Sequence, residues 1–536
     1  MIFKSSINSI NRHILIFFPI IWSLGPAVQD IAISFTAITF IFFSIKNNNF
    51  EFLNYKISWI LIAFFISIII SSAFSPTVEI SIYKSSSYLR YLLFFFAINY
   101  LIKLDSNDFR KFFIFNIIFI VFLAIDIWLQ KINGTDIFGF EAGMDGMRNS
   151  GFFGDEWIAG GFIVKTFFLT FIYFLLINLN KFYLFSFYLF ILATVFLTGE
   201  RMALVLFIVG TLLFVFIYKD YLKYKLFTFI TILISVIIFF IFNPQVYYRT
   251  IDQTFNQLIY GHADKYHKYF DIEASQKYPL AELKNLNKKD FIFDYDNSYS
   301  NYSLGLKIQN LIKNINKESE YFKVTHIDTH FYQFEEYHYE KVDIQIEYVR
   351  GYKIEKYKNN LNKIISNSEI KNLGNLEIKL KDPKKFILKK SLPLIDTGWG
   401  AHFLAAINIW KDKPFFGSGL KSFRALCGFE KYKTISKNDA NRCSTHPHNF
   451  YFELLAETGF FGFFLLVSFF IVILKKINFF KNENKIFFLI IFIINIWPLG
   501  TSGSLFNNHN AGFFWFIISI SCYVLNKKNL FITSNN

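Results

Sequence analysis

The stretch RCSTHPHNFYFELLAETGFFGFF, residues 442–464, joins a polar cluster to a long apolar run. The run continues to about residue 474, which exceeds the roughly 18–20 residues that cross a bilayer core as a helix. Directly before it stand His446, Pro447, His448 and Asn449. Proline suits the first turn of a helix, where its missing N–H costs nothing. The sequence therefore predicts a membrane helix that begins at Pro447, with the imidazoles of His446 and His448 at its start.

The whole chain repeats this apolar character. Of its 536 residues, 53% are hydrophobic and 74 are Phe, and the mean hydropathy is +0.34. Twelve apolar segments are predicted to span a membrane, at about 5–24, 27–45, 57–74, 88–102, 112–130, 157–179, 182–198, 201–218, 225–243, 448–474, 485–498 and 511–526. The first carries no convincing cleavage site and is expected to stay uncleaved. We expect an all-α polytopic integral membrane protein of about twelve helices with one large outer loop.

The formal charge of +15 does not indicate nucleic acid, because the basic residues cluster at the ends of the apolar runs. There they anchor a membrane protein to the cytoplasmic surface. With the N-terminus inside, the short outer segments keep only Lys84, Arg90, Lys131, Arg148 and Arg201. The same orientation puts every histidine except His13 outside. The outer face is thus predicted to collect imidazoles and a few exceptional cations.

Three regions follow from this organisation. Residues 1–243 hold nine predicted spans, residues 244–447 form the large outer loop, and residues 448–536 hold the last three spans and a short cytoplasmic tail. Within the loop, 262–395 is predicted to be a variable α+β insertion and 396–447 a helix and turn near the site. The alternation in Lys341–Tyr357 predicts a β-hairpin that turns at Arg350-Gly351, and residues 358–372 favour a short amphipathic helix.

A metal site in the insertion is conceivable but not predicted. Five potential ligands lie close together there, namely His326, Asp328, His330, Glu335 and His338. Their spacing follows no established ligand pattern. We therefore predict no metal and no cofactor, and for the insertion we expect at most contact with an acceptor or a partner.

A helix that starts at Pro447 has a defined face. At 100° per residue, one face carries His448, Phe452, Leu455, Gly459 and Gly462, and its glycines allow a helix or a lipid chain to approach closely. His448 is then either a functional imidazole at the mouth of an apolar groove or a histidine that only caps the helix. Glu457 falls about 180° away and is predicted to contact another helix.

The run His448-Asn449, nine residues, Gly459, two residues, Gly462 resembles the signature of the bacterial O-antigen ligase and Wzy-type polymerase family. Four other segments resemble that family in the same order: Met147–Phe162, Thr198–Phe207, Ala405–Phe423 with its Pro-x-x-Gly-x-Gly turn at Gly417 and Gly419, and Pro498–Phe516. The resemblance covers most of the chain except the middle of the long loop.

This resemblance implies a glycosyltransferase in the bacterial inner membrane, with its active site facing the periplasm. Its donor would be a glycan on undecaprenyl pyrophosphate, and membrane lipids would surround it. The acceptor would be lipid A–core for a ligase, which the well-formed His-Asn run favours. A growing glycan for a polymerase and a protein for an oligosaccharyltransferase remain alternatives. A transporter of lipid-linked glycan, the non-enzyme alternative, would show charges near mid-membrane and an internal repeat. The sequence shows no such repeat, and its spans are almost free of charge apart from Lys165 and Asp126.

The expected chemistry assigns roles to single residues. Pyrophosphate is a good leaving group, so the reaction requires cations and a base rather than the two carboxylic acids of a glycosidase. His448 is the predicted general base. Arg201 is the main predicted pyrophosphate ligand, since arginine offers bidentate charged contacts; its alternative role is to snorkel at the membrane surface. Glu200 either orients Arg201 or sits among headgroups. The other predicted substrate-binding residues are Arg148, Arg424, His402, Asn449 and His446.

Two further expectations concern this outer segment. Arg424 is preferred over His402 for the second phosphate contact because its charge is permanent. Cys427 and Cys443 could pair in an oxidising periplasm and would then hold the approach to His448 against the Gly417–Gly419 turn, although two free thiols are the alternative. Cys522 is expected to serve in packing.

Overall fold

The computed structural model describes residues 2–104, 106–177, 179–217, 222–260, 266–279, 293–294, 299–300, 322–334, 337–348, 376–380, 384–387, 392–475, 483–498 and 503–526. The chain divides into two compact units. The first comprises Met1–Thr254 and Pro393–Asn536, and the second comprises Phe255–Leu392.

The first unit consists of helices. The long ones are α1 (Ile2–Ser23), α2 (Pro26–Lys46), α3 (Lys56–Ala73), α4 (Val78–Leu104), α5 (Ser106–Asn133), α6 (Ala159–Leu176), α7 (Lys181–Leu197), α8 (Arg201–Ile217), α9 (Leu222–Phe242), α10 (Gly398–Asp412), α11 (Phe450–Lys475), α12 (Glu483–Asn495) and α13 (Asn508–Asn526). Each predicted apolar segment coincides with one of them to within a few residues at most ends. The main difference is α4, which begins ten residues before the predicted span because its first turns are polar and hydropathy does not detect them.

Some of these helices can cross a membrane by length and composition. Among the described residues, four qualify, namely Pro26–Lys46, Lys56–Ala73, Arg110–Asn133 and Phe450–Lys475. A fifth results if Ile230–Phe242 and Pro244–Ile259, which meet at 108°, form one broken span. Three shorter apolar helices accompany them, at Ala159–Phe171, Lys181–Leu197 and Arg201–Val215. The architecture is that of a mostly helical membrane protein, and the number of twelve spans stays a prediction.

The helices pack through aromatic side chains. Trp515 on α13 is fully buried and donates a hydrogen bond of 2.8 Å to the Tyr88 hydroxyl on α4. Phe95 meets Trp515 edge to face with ring centroids 5.9 Å apart, and Phe469 on α11 lies at the same distance from Trp515. Aromatic pairs in such geometries add to the attraction of close packing. The high Phe content thus supplies the interfaces between helices that are distant in sequence.

The second unit contains β-strands. Those described are β1 (Tyr266–Pro279), β2 (Phe293–Asp294), β3 (Tyr299–Ser300), β4 (Phe322–Phe334), β5 (Tyr337–Tyr348), β6 (Leu376–Leu380) and β7 (Lys384–Ile387). One antiparallel sheet has the order β4-β5-β1-β6, with β7 also on β1, and β2 pairs with β3.

The prediction that Lys341–Tyr357 folds as a β-hairpin is wrong, because its first half pairs with other strands. Its first half lies in β5, whose two edges are already occupied by β4 and β1. A strand with both edges paired cannot also pair with residues that follow Gly351. The turn at Arg350-Gly351, the helix predicted at 358–372 and the side chains of the five potential metal ligands lie outside the described residues.

Candidate active site

Three imidazoles gather at the start of α11. The ring centroid of His448 lies 4.2 Å from that of His446 and 5.2 Å from that of His402 on α10. Trp399, one turn before His402, meets His448 edge to face at 4.5 Å. The structure therefore joins His402 to the two histidines that the sequence places more than forty residues later.

Hydrogen bonds orient two of the rings. The Nδ1 atom of His402 lies 3.1 Å from the carbonyl oxygen of Arg442. Because a carbonyl only accepts, Nδ1 of His402 carries the proton. The Nε2 atom of His448 lies 2.9 Å from the Ser444 hydroxyl, which can accept from Nε2–H. In that tautomer Nδ1 of His448 is the nitrogen that can accept a proton.

The expectation that α11 begins at Pro447 is wrong. The helix begins at Phe450, and His448 has a φ of 57°, in the left-handed region that costs a bulky residue free energy. Asn449 caps the helix instead, because its Oδ1 accepts from the backbone N–H of Tyr451 at 3.0 Å and of Phe452 at 3.3 Å. His448 thus lies outside the helix and shares no helical face with the glycines.

Asn449 also attaches the start of α11 to the loop after α12. Its Nδ2 donates to the carbonyl oxygen of Pro498 at 2.8 Å. The oxygen and the nitrogen of the Asn449 side-chain amide therefore both bond to backbone groups of the protein. The predicted contact of Asn449 with a substrate stays a prediction. His446 lies 3.0 Å from the Thr445 hydroxyl through Nδ1.

Helix α11 is interrupted at Gly459, which has a φ of 65° and a ψ of −168°. The Pro-x-x-Gly-x-Gly turn fills the interruption. Ser418 N and Gly419 N donate to the carbonyl oxygens of Ala456 and Glu457 at 2.9 and 2.8 Å, and Phe460 N and Phe461 N donate to those of Pro414 and Phe415 at 2.8 and 3.1 Å. Four backbone groups that a break would leave unsatisfied are thereby paired.

Glycines make this close approach possible. A Cβ on Gly417 would lie 2.5 Å from the backbone nitrogen of Gly459, and one on Gly459 would lie 2.4 Å from that of Gly417. Both residues and Gly419 have positive φ. Gly462 follows the break, and a Cβ there would lie 3.4 Å from the Ser67 hydroxyl on α3. Gly417 and Gly459 thus allow the backbone junction between α11 and the turn, whereas Gly462 lies beside Thr458 and α3.

Glu457 holds the chain after that turn. Its carboxylate accepts from Lys421 N at 2.8 Å and from Phe423 N at 3.3 Å. The side chain is 1% exposed. The prediction that Glu457 contacts another helix is confirmed, because one carboxylate oxygen accepts from Phe423 N at the start of the short helix Phe423–Leu426. The other oxygen accepts from Lys421 N in the loop before that helix.

Glu453, one turn before Glu457, holds the loop that precedes α13. It accepts hydrogen bonds from Leu505 N at 2.8 Å and from the Ser504 hydroxyl. The Lys421 Nζ in turn donates to Ser504 Oγ at 3.0 Å. These residues were missed from the sequence, although two glutamates in an otherwise apolar run signal buried polar partners.

A disulfide joins Cys427 to Cys443, with Cα atoms 5.3 Å apart. Arg442 strengthens the same connection, since its Nε donates to the Cys427 carbonyl at 2.8 Å and its Nη1 pairs with Asp439 at 2.7 Å. The segment that leads to His446 is thus attached to the short helix Phe423–Leu426. Arg424 lies on that helix with its side chain exposed, so it is accessible to a ligand.

A second group of candidates surrounds the start of α8. The Glu200 carboxylate accepts from Gly160 N at 2.6 Å and from Gly161 N at 3.0 Å, which caps the N-terminus of α6 and complements its dipole. Burial raises the pKa of Glu200 to about 7, against the lowering effect of the two amides and of Arg148. Glu200 therefore neither orients Arg201 nor lies among lipid headgroups. It binds the backbone at the start of α6.

Arg201 is the first residue of α8 and is half-buried. In the part of the chain that the structure describes, no carboxylate lies within 4.0 Å of its guanidinium. The guanidinium of Arg148 stacks on Trp157 at 4.2 Å, and the neighbouring Asn149 donates to the Leu197 carbonyl at 2.7 Å. The loop that carries Arg148 is therefore fixed to the turn that precedes Arg201.

A series of contacts places the histidine cluster and the residues around Arg201 at the same end of the helices. His509 at the start of α13 stacks on Trp22 at the end of α1, with centroids 4.2 Å apart. Trp22 stacks on Phe162 in the first turn of α6 at 5.0 Å. Since the loop before α13 binds Glu453 and the start of α6 binds Glu200, the histidines and the arginines border one end of the helical unit.

Comparison with known proteins assigns the central segment. The family model described as O-antigen ligase matches residues 401–467. This segment contains the three histidines, the disulfide, the turn at Gly417–Gly419 and the break at Gly459. No curated protein matches the chain. The resemblance predicted from the motifs is confirmed over residues 401–467, the segment that matches the O-antigen ligase family.

Proposed function

We propose that the protein is a glycosyltransferase of the O-antigen ligase type. It moves a glycan from undecaprenyl pyrophosphate to lipid A–core at the periplasmic face of the inner membrane. The observation that carries the proposal is the cluster of His402, His446 and His448 at the head of a membrane helix, inside the segment that matches the family. Such a cluster offers a proton acceptor at the end of a membrane helix, where the phosphate of a lipid-linked sugar would lie.

His448 is the general base in this proposal. The acceptor hydroxyl oxygen attacks the anomeric carbon, the bond from that carbon to the pyrophosphate oxygen breaks, and the hydroxyl proton passes to the imidazole. Burial, together with the neighbouring His446 and His402, lowers the pKa of His448 to about 3. The imidazole is therefore neutral at physiological pH and free to accept a proton. An anionic pyrophosphate beside it raises this pKa and strengthens the base when the donor is bound.

Arginines stabilise the departing pyrophosphate. Arg201 begins a helix, and no described carboxylate neutralises it, so its guanidinium is available for bidentate contact. Arg148 is rigid through its stacking on Trp157. For the second phosphate contact we prefer the exposed Arg424 to His402, because burial lowers the pKa of His402 and a neutral imidazole offers no charge. His402 instead packs against His448.

Deletion of the gene in its host tests the reaction class. Lipopolysaccharide would be separated on gels, and the lipid-carrier intermediates would be analysed in parallel. Bare lipid A–core with long glycan accumulating on the carrier is the expected result. Core with a single repeat unit would assign a polymerase, and an unchanged lipopolysaccharide with altered glycoproteins would assign a protein acceptor. Transport is tested separately by labelling glycans in intact spheroplasts with a reagent that does not cross membranes, since a blocked transporter would leave the intermediates unlabelled on the cytoplasmic side.

A further inference from the structure

Helix α6 carries a single charged residue, Lys165, in an otherwise apolar sequence. A charge on a membrane helix is costly, so such a residue faces a partner or a polar space and commonly marks a functional site. The proposed transfer assigns roles to Arg148, Arg201 and Arg424 but gives none to Lys165. The surroundings of Lys165 therefore need an explanation of their own.

The described part of the protein leaves the Lys165 ammonium group without a polar partner. Within that part of the chain, no carboxylate oxygen lies within 4.0 Å of its nitrogen and no acceptor is hydrogen-bonded to it. The Glu200 carboxylate attracts it only from a distance, because that carboxylate is bound to Gly160 N and Gly161 N. All three N–H donors of the ammonium group are therefore available to a ligand.

The ammonium group lies against an aromatic wall. Its nitrogen is 5.8 Å from the ring centroid of Phe513 on α13, and Phe513 lies 4.9 Å from Trp22 and 5.7 Å from Phe162. The same Trp22 and Phe162 link the histidine cluster to the start of α6. Lys165 is partly exposed, so a ligand that reaches this wall can touch its ammonium group.

Lys165 lies farther from this end of the helical unit than Arg201 does. Arg201 follows Glu200, which binds Gly161 N near the start of α6. The Cα atom of Lys165 is four residues beyond Gly161, which is about 6 Å along the helix axis. A long side chain on a helix points back toward the N-terminus, here toward Glu200. An anion bound at Arg201 therefore has the Lys165 ammonium group on its membrane side.

The ligand that suits this arrangement is a phosphate attached to an apolar chain. A lysine binds phosphate as a compact charge with several donors, and the apolar residues of α6 beyond Lys165 suit a hydrocarbon chain. In a lipid-linked sugar pyrophosphate, one phosphate bears the sugar and the other bears the lipid chain. The lipid-bearing phosphate is the one on the membrane side, and it is therefore the one that Lys165 can reach.

We propose that Lys165 binds the phosphate that bears the lipid chain of the donor, while Arg201 binds the phosphate that bears the sugar. This assignment rests on the proposed glycan transfer. When the bond between the anomeric carbon and the pyrophosphate oxygen breaks, the new negative charge appears on the phosphate that bore the sugar. Lys165 holds the other phosphate equally before and after this step. Loss of Lys165 should therefore raise KM for the donor and leave kcat nearly unchanged.

Binding of two carrier lipids to the purified full chain in detergent tests the proposal. Undecaprenyl pyrophosphate has both phosphates, whereas undecaprenyl phosphate has only the lipid-bearing one. Lys165→Met removes the charge and keeps the length of the side chain, and it should weaken binding of both lipids roughly tenfold to a hundredfold. Lys165→Gln should show the same loss, because the loss follows the charge. Arg201→Lys should weaken binding of undecaprenyl pyrophosphate only.

The melting temperature of the ligand-free protein separates binding from a structural role. Lys165→Met should not lower it, because the variant removes a charge that has no ion pair among the described residues. Lys475→Met is the matched control, since Lys475 is an exposed lysine at the other end of a membrane helix, α11. This control should change neither the affinity for the two lipids nor the KM for the donor.

Unchanged affinity for both lipids in either folded Lys165 variant would overturn the proposal and leave the glycan transfer standing. A lower melting temperature together with unchanged affinity would assign Lys165 to the stabilisation of Glu200 instead. If inorganic pyrophosphate binds the unaltered protein as tightly as undecaprenyl pyrophosphate does, the lipid assignment is wrong. Failure of the unaltered protein to bind either lipid would contradict the glycan transfer itself.

Discussion

At the scale of single residues, the site depends on how side chains are held just outside the helices. His448 occupies a left-handed backbone conformation, which is tolerated because Asn449 and the disulfide fix the chain on both sides. Strain of this kind persists where the surroundings determine one conformation, and it is common at functional sites. Asn449 and the disulfide therefore set the position of the imidazole, which does not depend on a place on a helix face.

Replacing His448 by alanine should reduce glycan transfer about 10²- to 10⁴-fold, which is the usual contribution of a general base. Membrane insertion should not change and the melting temperature should change little, since the ring is only partly buried and lies outside the helices. Transfer would be measured with purified protein, a lipid-linked donor and an acceptor. His13→Ala is the matched control, because His13 is an exposed histidine away from the site. Unchanged transfer in His448→Ala would exclude His448 as the base.

The pH dependence of kcat/KM reports the His448 pKa in the free enzyme. Burial and the two neighbouring imidazoles lower that pKa to about 3. The base is active when neutral, so activity should persist as the pH falls through about 6.5, where an exposed histidine becomes protonated. His446→Gln removes one neighbour that lowers the pKa, and its acidic limb should therefore move to higher pH. An acidic limb near pH 6.5 in the unaltered protein would contradict this account.

Arg201→Lys keeps the charge but removes the bidentate geometry. If Arg201 binds pyrophosphate, kcat/KM should fall roughly tenfold to a hundredfold. Arg110→Lys offers the matched control, since Arg110 is exposed in the first turns of α5, at the end of the unit away from Arg201. Full activity of Arg201→Lys would support the alternative in which this arginine only snorkels to the membrane surface.

At the scale of elements, the decisive feature is the junction between the break in α11 and the Pro414–Gly419 turn. Its four backbone hydrogen bonds replace those that the helix loses at Gly459. The same junction positions Glu457, which then binds the backbone of Lys421 and Phe423. A helix break and a turn thus form one structural unit that supports the outer segment with Arg424 and the disulfide.

Gly417→Ala should destabilise the protein by at least about 2 kcal/mol, because the added Cβ meets backbone 2.5 Å away and the residue has a positive φ. The melting temperature in detergent would be compared with that of Gly398→Ala. A Cβ on Gly398 meets nothing within 4 Å, and this control should be nearly neutral. Equal melting temperatures for both variants would show that the junction contributes little to stability.

At the scale of the whole molecule, residues from both ends of the chain complete one face. The loop before α13 binds Glu453 on α11, and Trp22 at the end of α1 lies between His509 and Phe162. A cavity lined by residues that include Asn11, Ser58 and Lys103 lies at the other end of the same helices. The charge distribution of the short loops predicts that the first face is periplasmic and the second cytoplasmic.

Labelling of single introduced cysteines tests this orientation. Ile435→Cys lies on a side chain that is 79% exposed at the histidine end, and Lys46→Cys lies at the end of α2, where the cavity is. A maleimide that does not cross membranes should label the first in intact spheroplasts and the second only after lysis. The unaltered chain is the control, because Cys427 and Cys443 are paired and Cys522 is buried. The reverse pattern would invert the proposed topology.

The sequence by itself determined where most helices lie and which family the segment 401–467 resembles. Long apolar runs specify helices without reference to the rest of the chain, since every backbone group must be satisfied within the segment. The order and spacing of five segments, of which the run from His448 to Gly462 is one, carried the family resemblance, and the match over residues 401–467 confirms it for that part of the chain.

Only the tertiary structure decided how these residues are used. The start of α11 at Phe450, the break at Gly459, the capping of α6 by Glu200 and the joining of His402 to His448 all depend on partners tens of residues away. Local pattern describes one segment in isolation, whereas a hydrogen bond between distant segments forms only if the packing of whole helices brings its donor and acceptor together. For the same physical reason the pairing of β5 was mispredicted, because strand register is set by partners and not by alternation within one strand.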